Sequence, residues 1–289
     1  MHLGPFPLEK LKRMLRVDLS AMPAMQPVSF RRPEDPKSIV NAMQEYQAML
    51  DATRDGMVKK EIAEIPDELV DLANHLKSFG YYCDASMVGT CAIDPAVWMG
   101  ETLVNPDVDR LADKLRVMQP KSLAAGIDVI MAGLRESMAL PPADCRHHSH
   151  AVVFLYDHPR APRVDEVGAD WIKDALPQRT CLRASETAVT LASYIRTLGY
   201  EARAHSMAAS DVNLGALAAS AGLVALEDGV LVNPFTGNRY GLAAVTTTLA
   251  MAADLPILPR QEAPKSYTYG TDISTNQQDH SWSRDVDGS

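Results

Sequence analysis

The sequence is poor in aromatic rings, in cysteine, in basic charge and in long apolar runs. Aromatics make up 6% of its 289 residues while Met numbers 14. The core therefore rests on Leu, Val, Ala and Met more than on stacked rings. Four cysteines (Cys83, Cys91, Cys145 and Cys181) lie far apart, none in C-x-x-C spacing. Over this length they read as buried thiols rather than as a disulfide framework. The longest apolar stretch, residues 214–226, is shorter than the ~20 residues of a membrane span. No apolar run follows the basic residues Lys10, Lys12, Arg13 and Arg16, and Arg31–Arg32 lead into Pro33, Glu34, Asp35 and Pro36. Neither pattern suits an export signal, so the expected location is the cytoplasm and no membrane partner is expected. With 28 Lys and Arg against 37 Asp and Glu, the net charge is -9, which argues against a broad nucleic-acid surface. Phosphate loops, zinc-protease helices, nucleophile elbows and the D-x-H-x-x-G signature of corrinoid carriers are absent as well.

What is present is ordinary globular composition, 46% hydrophobic and 22% charged. Three regions follow from the patterning. Residues 1–60 are an N-terminal extension, Pro-rich up to 38 and expected to wrap over something larger, with an amphipathic helix at 39–53. Residues 61–260 are the main domain. Residues 261–289, polar and poor in apolar side chains, read as a tail or linker. Within the domain, helices are expected at 66–80, 108–118, 122–138, 184–198 and, capped by Asn213, up to Gly222. Strands are expected at 81–88, 151–156 and 200–205, and residues 229–233 and 239–246 read as a hairpin about a turn at 234–237. Strands alternating with helices give an α/β (α+β) fold, a mixed sheet flanked by helices.

Four pieces in the last third resemble one family. Residues 187–200 (TAVTLASYIRTLGY), 217–223 (LAASAGL), 229–237 (GVLVNPFTG) and 242–249 (LAAVTTTL) are similar, in order and with compatible gaps, to segments of corrinoid-dependent reductive dehalogenases and epoxyqueuosine reductases. LKSFGYYCDA and AVVFLY in the first half match more weakly. The resemblance implies a nitroreductase-like corrinoid fold, with cobalamin lying close to backbone. Asn213, Gly222, Gly229 and Gly237 are the cofactor-binding positions it implies, and Arg239 and Tyr240 the catalytic ones. Read from the residues alone, the same glycines are equally a helix C-cap and turn positions, and Tyr194 is a packed core residue.

The departures from that family carry as much weight as the matches. Its iron–sulfur clusters are held by C-x2-C-x2-C-x3-C-P runs, and no cysteine follows Cys181. Where the family carries an arginine loop, this chain has Glu227–Asp228, which would disfavour an anionic leaving group. Its second arginine position is Gly241, with Arg239 two residues earlier. Cys145, His148 and His150 form the densest set of soft ligands, but the spacing fits no common zinc module. The histidines are read as solvated loop residues, with no metal site assigned.

The expectation is therefore a reductive-dehalogenase-like module without cluster ligands and without a bound cofactor. It would be a degenerate copy that pairs with an active cobalamin and iron–sulfur unit, for which self-sufficient members with a cofactor-free half supply the precedent. The alternative is an active cobalamin-dependent dehalogenase served by a separate redox partner. A homodimer stays open.

Overall fold

The residue pattern of one strand explains the architecture. His150–Asp157 (β3) is an almost unbroken apolar run, and the computed structural model, which describes residues 4–26, 28–117, 144–158, 161–172 and 175–263, buries it on both faces. Side chains alternate along a strand. Ala151, Val153 and Leu155 accordingly enter one core cluster, and Val152, Phe154 and Tyr156 the other. β3 is interior to a four-stranded sheet of order β1–β3–β8–β4, with β1 at Met87–Ala92, β4 at Ala202–Ser206 and β8 at Tyr240–Thr247. Every pair in that sheet is antiparallel. Two small two-stranded sheets join Trp98–Leu103 (β2) to Ser210–Val212 (β5), and Ala225–Glu227 (β6) to Val230–Val232 (β7).

Helices cover both faces. The long helix Leu176–Thr197 lays Ala184, Ala188, Leu191, Ala192 and Ile195 on one side of the sheet, beside Leu69–Tyr82 with Leu72, Ala73 and Leu76. Small residues on β8 allow this approach: a Cβ on Gly241 would stand 2.9 Å from Thr180 Cγ2. The short, Ala-rich helix Leu214–Ser220 covers the other side with Leu214, Leu217 and Ala218. Each large apolar side chain so buried contributes about 1.5–3 kcal/mol. Among the described residues the α-helices are, in chain order, α1 (Ile39–Ala52), α2 (Leu69–Tyr82), α3 (Pro106–Val117), α4 (Ala169–Ile172), α5 (Leu176–Thr197) and α6 (Leu214–Ser220).

Several expectations are corrected. Gly80 does not stop α2; it lies inside the helix, where a Cβ would meet Val88 and Phe154 at 2.7 and 2.8 Å. The chain turns at Cys83 and at Asp84 (φ 64), so the strand begins at Met87 rather than at 81. The expected hairpin between 229–233 and 239–246 is replaced by one between β6 and β7, turning at Asp228 and Gly229 (φ 50 and 83). Positive φ at both central residues is the backbone a two-residue hairpin turn needs. β8 pairs instead with β3 and β4, because an eight-residue strand buried on both faces belongs in the centre of a sheet. The stripe expected on α1 (Ile39, Val40, Met43, Tyr46, Gln47, Met49 and Leu50) is only partly the buried one: Val40 and Gln47 point inward with Gln44, Ala48 and Asp51, while Ile39, Tyr46 and Met49 are exposed. The helix expected at 122–138 lies outside the described residues, as does nearly all of the tail.

The N-terminal segment lies over the domain. Phe6 and Leu11 are buried. Met14 N–H donates to Pro256 O (2.9 Å) and Leu258 N–H to Lys12 O (3.0 Å), around a bridge between Arg13 and Ile257. Among the described residues, no helix is long and apolar enough to cross a membrane.

Candidate functional site

The positions implied by the family resemblance sit at four turns around α6 and the β6–β7 hairpin. Asn213 caps α6: its side-chain oxygen accepts from Ala216 N–H (3.1 Å) and its amide donates to Pro23 O (2.9 Å). At the other end, Gly222 (φ +69) closes the helix as a C-cap glycine. Its free side is filled by the chain itself. A Cβ there would stand 2.0 Å from Arg13 Nη1 and 2.3 Å from Leu255 O. The Arg13 guanidinium donates to Gly222 O (3.1 Å), Leu255 O (2.7 Å) and Leu8 O (2.8 Å). Burial lowers the pKa of Arg13 from its ordinary value, opposed by the charges of Asp254 and Glu9.

Gly229 (φ +83) and Gly237 (φ +63) have no atom within 4 Å of an added Cβ, so their requirement is conformational only. Asn233, which the sequence reading passed over, holds the second of these turns. Its buried side-chain oxygen accepts from Phe235 N–H (2.8 Å) and Thr236 N–H (3.0 Å), and its amide donates to Leu223 O (2.6 Å). Arg239 contributes its backbone, donating to Thr236 O and accepting from His158 N–H. Tyr240 donates its hydroxyl proton to Leu231 O (2.9 Å), and burial raises its pKa above the usual phenol value. The acidic pair is partnered too: Glu227 accepts from Arg260 N–H (2.6 Å), and Asp228 pairs with the Arg260 guanidinium (2.7 Å).

A second constellation, unseen in the sequence, lies between α1, α5, β4 and β5. Asp51 is buried and accepts from Asn105 (2.8 Å), Ser206 (2.7 Å) and Gln47 (3.0 Å). Desolvation raises its pKa against those hydrogen bonds and the charge of Arg54. Arg54 pairs with Asp211 (3.0 Å), and Arg203 with Asp55 (2.6 Å) and Asp211 (3.3 Å). Buried His205 lies 2.9 Å from Thr246 Oγ1, and burial pushes its pKa well down. The space between Asp51, Arg54, Ser185 and His205 has no room for a water-sized guest, and the paired charges brace α1 against β4 and β5. Cys145, His205 and Asp211 bring possible metal-ligand atoms within 4.8 Å of one another, but the Arg203 guanidinium is 3.3 Å from both the thiol and the carboxylate. A cation is already there. Of the soft-ligand set named above, His148 is buried, not solvated, while Cys145 is buried as expected of its thiol.

The architecture and this turn region define an antiparallel sheet covered by helices on both faces, with the family's segments placed around α6, the β6–β7 hairpin and β8. Comparison with solved structures puts it in a class. The chain is similar to the catabolic reductive dehalogenase NpRdhA, at 34% identity and a TM-score of 0.66 over 90% of this chain and 31% of that one. It is similar to the same dehalogenase in complex with 3-bromo-4-hydroxybenzoic acid (33%, 0.65, covering 90% and 30%). A reductive dehalogenase structure described as suggesting a mechanism for B12-dependent dehalogenation matches at 32% and 0.64, covering 90% and 31%. No family model and no curated protein matches. The chain belongs to the reductive dehalogenase superfamily, and it spans about a third of the length of the dehalogenase chains it matches.

Cobalamin is implied by that family, and the residues at α6 do not fit it. Backbone open to a planar ring is what a glycine at position 222 would offer, and Arg13 and the Leu255 carbonyl fill that space. Two clefts flank this end of α6, of about 370 Å³ beside Phe6, Arg13, Tyr81 and Leu255, and about 200 Å³ beside Met14, Met22, Val224 and Leu226. A corrinoid exceeds the ligands that fill common pockets of ~300–1,000 Å³.

Proposed function

We propose that this chain is a cofactor-free half of a reductive dehalogenase assembly. It is a scaffold that pairs with an active cobalamin and iron–sulfur unit, in another chain or in another part of a longer polypeptide. The observation that carries this reading is the Arg13 plug: the N-terminal segment supplies a guanidinium and its own backbone contacts where the family's glycine would face a cofactor. Three further features agree with it. No cysteine follows Cys181, so cluster ligands of the family's spacing are missing from these residues. Glu227 and Asp228 stand where the family's arginine loop would, and Arg260 partners both, its backbone N–H on Glu227 and its guanidinium on Asp228. α1 turns Ile39, Tyr46 and Met49 outward, an apolar stripe suited to a partner surface.

The test is purification of this chain from its own host under mild conditions, with cobalt and iron measured in each fraction. The reading predicts co-purification with a second, corrinoid- and iron-containing unit, and a colourless chain once that unit is stripped away. Corrinoid that stays with this chain after stripping contradicts it.

A further inference from the structure

We propose that His147, His148 and Glu201 form a zinc site that ties the loop before β3 to the start of β4. His147 Nε2 lies 2.6 Å and His148 Nε2 3.8 Å from Glu201 Oε2. The three ligand atoms all fall within 4.8 Å of one another, and the two imidazoles stand edge to face at 5.0 Å. Two imidazoles and a carboxylate are a donor set that zinc takes, with water completing the tetrahedron. Tetrahedral bonds of ~2.0–2.1 Å place ligand atoms about 3.3 Å apart. The 2.6 Å contact must open and the 3.8 Å contact close, each by less than an ångström. His147 and Glu201 are half exposed and free to make that adjustment.

The third ligand is already positioned. His148 is buried, with its Nδ1 held 2.8 Å from Thr246 Oγ1, the kind of outer hydrogen bond that fixes a metal-binding imidazole. Thr246 Oγ1 also lies 2.9 Å from His205 Nε2, so the hydroxyl donates to one ring and accepts from the other. Asp211 N–H donates to His205 Nδ1 (3.3 Å), so without metal His205 Nε2–H donates to Thr246 and the threonine donates to His148 Nδ1. Zinc on His148 Nε2 reverses this chain: His148 Nδ1–H donates to Thr246, the threonine donates to His205 Nε2, and the Asp211 N–H bond to His205 Nδ1 is exchanged for a proton on Nδ1, 3.6 Å from the Asp211 carboxylate. The walls of the site are rigid. Ser149 N–H donates to Thr247 O (3.0 Å), Thr248 N–H donates to Glu201 O (3.1 Å), and Glu201 N–H donates to Thr248 Oγ1 (3.1 Å). Both ligand-bearing segments thus hang on the same end of β8. His150 is not part of the set; its Nδ1 faces Ser149 Oγ (2.9 Å).

The test uses tag-free full chain titrated with Zn²⁺ against a chromophoric chelator, together with His147→Ala and Glu201→Gln. Both replaced side chains are half exposed. The expected result is one equivalent of zinc per chain, with each variant binding at least tenfold more weakly. No saturable uptake, or a loss of less than tenfold in either variant, overturns the proposal. X-ray absorption on the zinc-loaded wild-type protein gives a reading independent of the variants: nitrogen and oxygen ligands with no sulfur support the site, and a sulfur ligand refutes it.

Discussion

Gly222→Ala separates a glycine kept for close contact from one kept for a turn. The left-handed backbone alone costs an alanine about 1–2 kcal/mol. At Gly222 (φ +69) the new methyl would also stand 2.0 Å from Arg13 Nη1 and 2.3 Å from Leu255 O. An arginine tip can swing away, but a backbone carbonyl can only shift with its chain. Relieving the clash breaks one or both of the guanidinium's hydrogen bonds to Gly222 O and Leu255 O. Hydrogen bonds to a charged group contribute about 1.5–3 kcal/mol, less where water reaches them. The expected cost is about 3 kcal/mol or more, against about 1–2 kcal/mol for Gly229→Ala, where an added Cβ meets no atom within 4 Å. Urea unfolding followed by far-ultraviolet dichroism measures both. In an Arg13→Ala background the penalty at Gly222 should shrink, since one of its two obstacles is gone. Equal costs at Gly222 and Gly229, or no coupling to Arg13, would refute the close-packing argument.

Three further outcomes follow from the same structure. Gly80→Ala should destabilise by about 1–3 kcal/mol through overpacking against Val88 and Phe154; a gain of up to ~1 kcal/mol, the usual effect in an open helix, would disprove that contact. Tyr46→Ala and Met49→Ala should stay within about 0.5 kcal/mol of wild type, while Gln47→Ala, which removes a buried hydrogen bond to Asp51, should cost at least ~1 kcal/mol. The reverse ordering would mean that α1 faces the other way. With chelator present, stability should fall as pH drops from 6.5 toward 4. The folded-state pKa of His148 lies near 4, below its ordinary 6.5, so the unfolded chain takes up the proton first and this contribution, ~3 kcal/mol, is lost on acidification. Buried His205 acts in the same direction, and Asp51, whose pKa is raised, in the opposite one. His148→Gln, compared with wild type at pH 7 and 4.5, isolates the term; an unchanged difference between the two pH values would contradict it.

The order of helices and strands was readable where periodicity and punctuation agree. Residues 150–157 carry their double burial in plain sequence, and Asn213 and Gly222 mark both ends of α6 by cap chemistry alone. Reading failed where tertiary contact overrides a local signal. Gly80 looks like a stop but is a packing glycine, and the turn at 233–237 suggests a hairpin although β8 finds better-buried neighbours across the sheet. α1 shows the limit most clearly. Of the stripe a sequence reader assigns to the core, Val40 and Gln47 are buried but Ile39, Tyr46 and Met49 are not; Gln44, Gln47 and Asp51 turn inward because Gln178, Ser185, Asn105 and Ser206 wait there as hydrogen-bond partners. Those partners lie more than 50 residues away along the chain, so no local pattern announces them. The Arg13 plug was hidden for the same reason, since it joins position 13 to positions 222 and 255. Adjacent His147 and His148 were visible, but only the fold brings Glu201 to them.

Titration of the purified chain with hydroxocobalamin, followed by visible absorbance and calorimetry, tests the central claim most directly. A spectrum that never departs from that of free hydroxocobalamin, with no saturable heat, is the result predicted for a domain whose cradle is closed by Arg13. Stoichiometric uptake of the corrinoid by the wild-type chain would show that the cradle is open and that the scaffold reading is wrong.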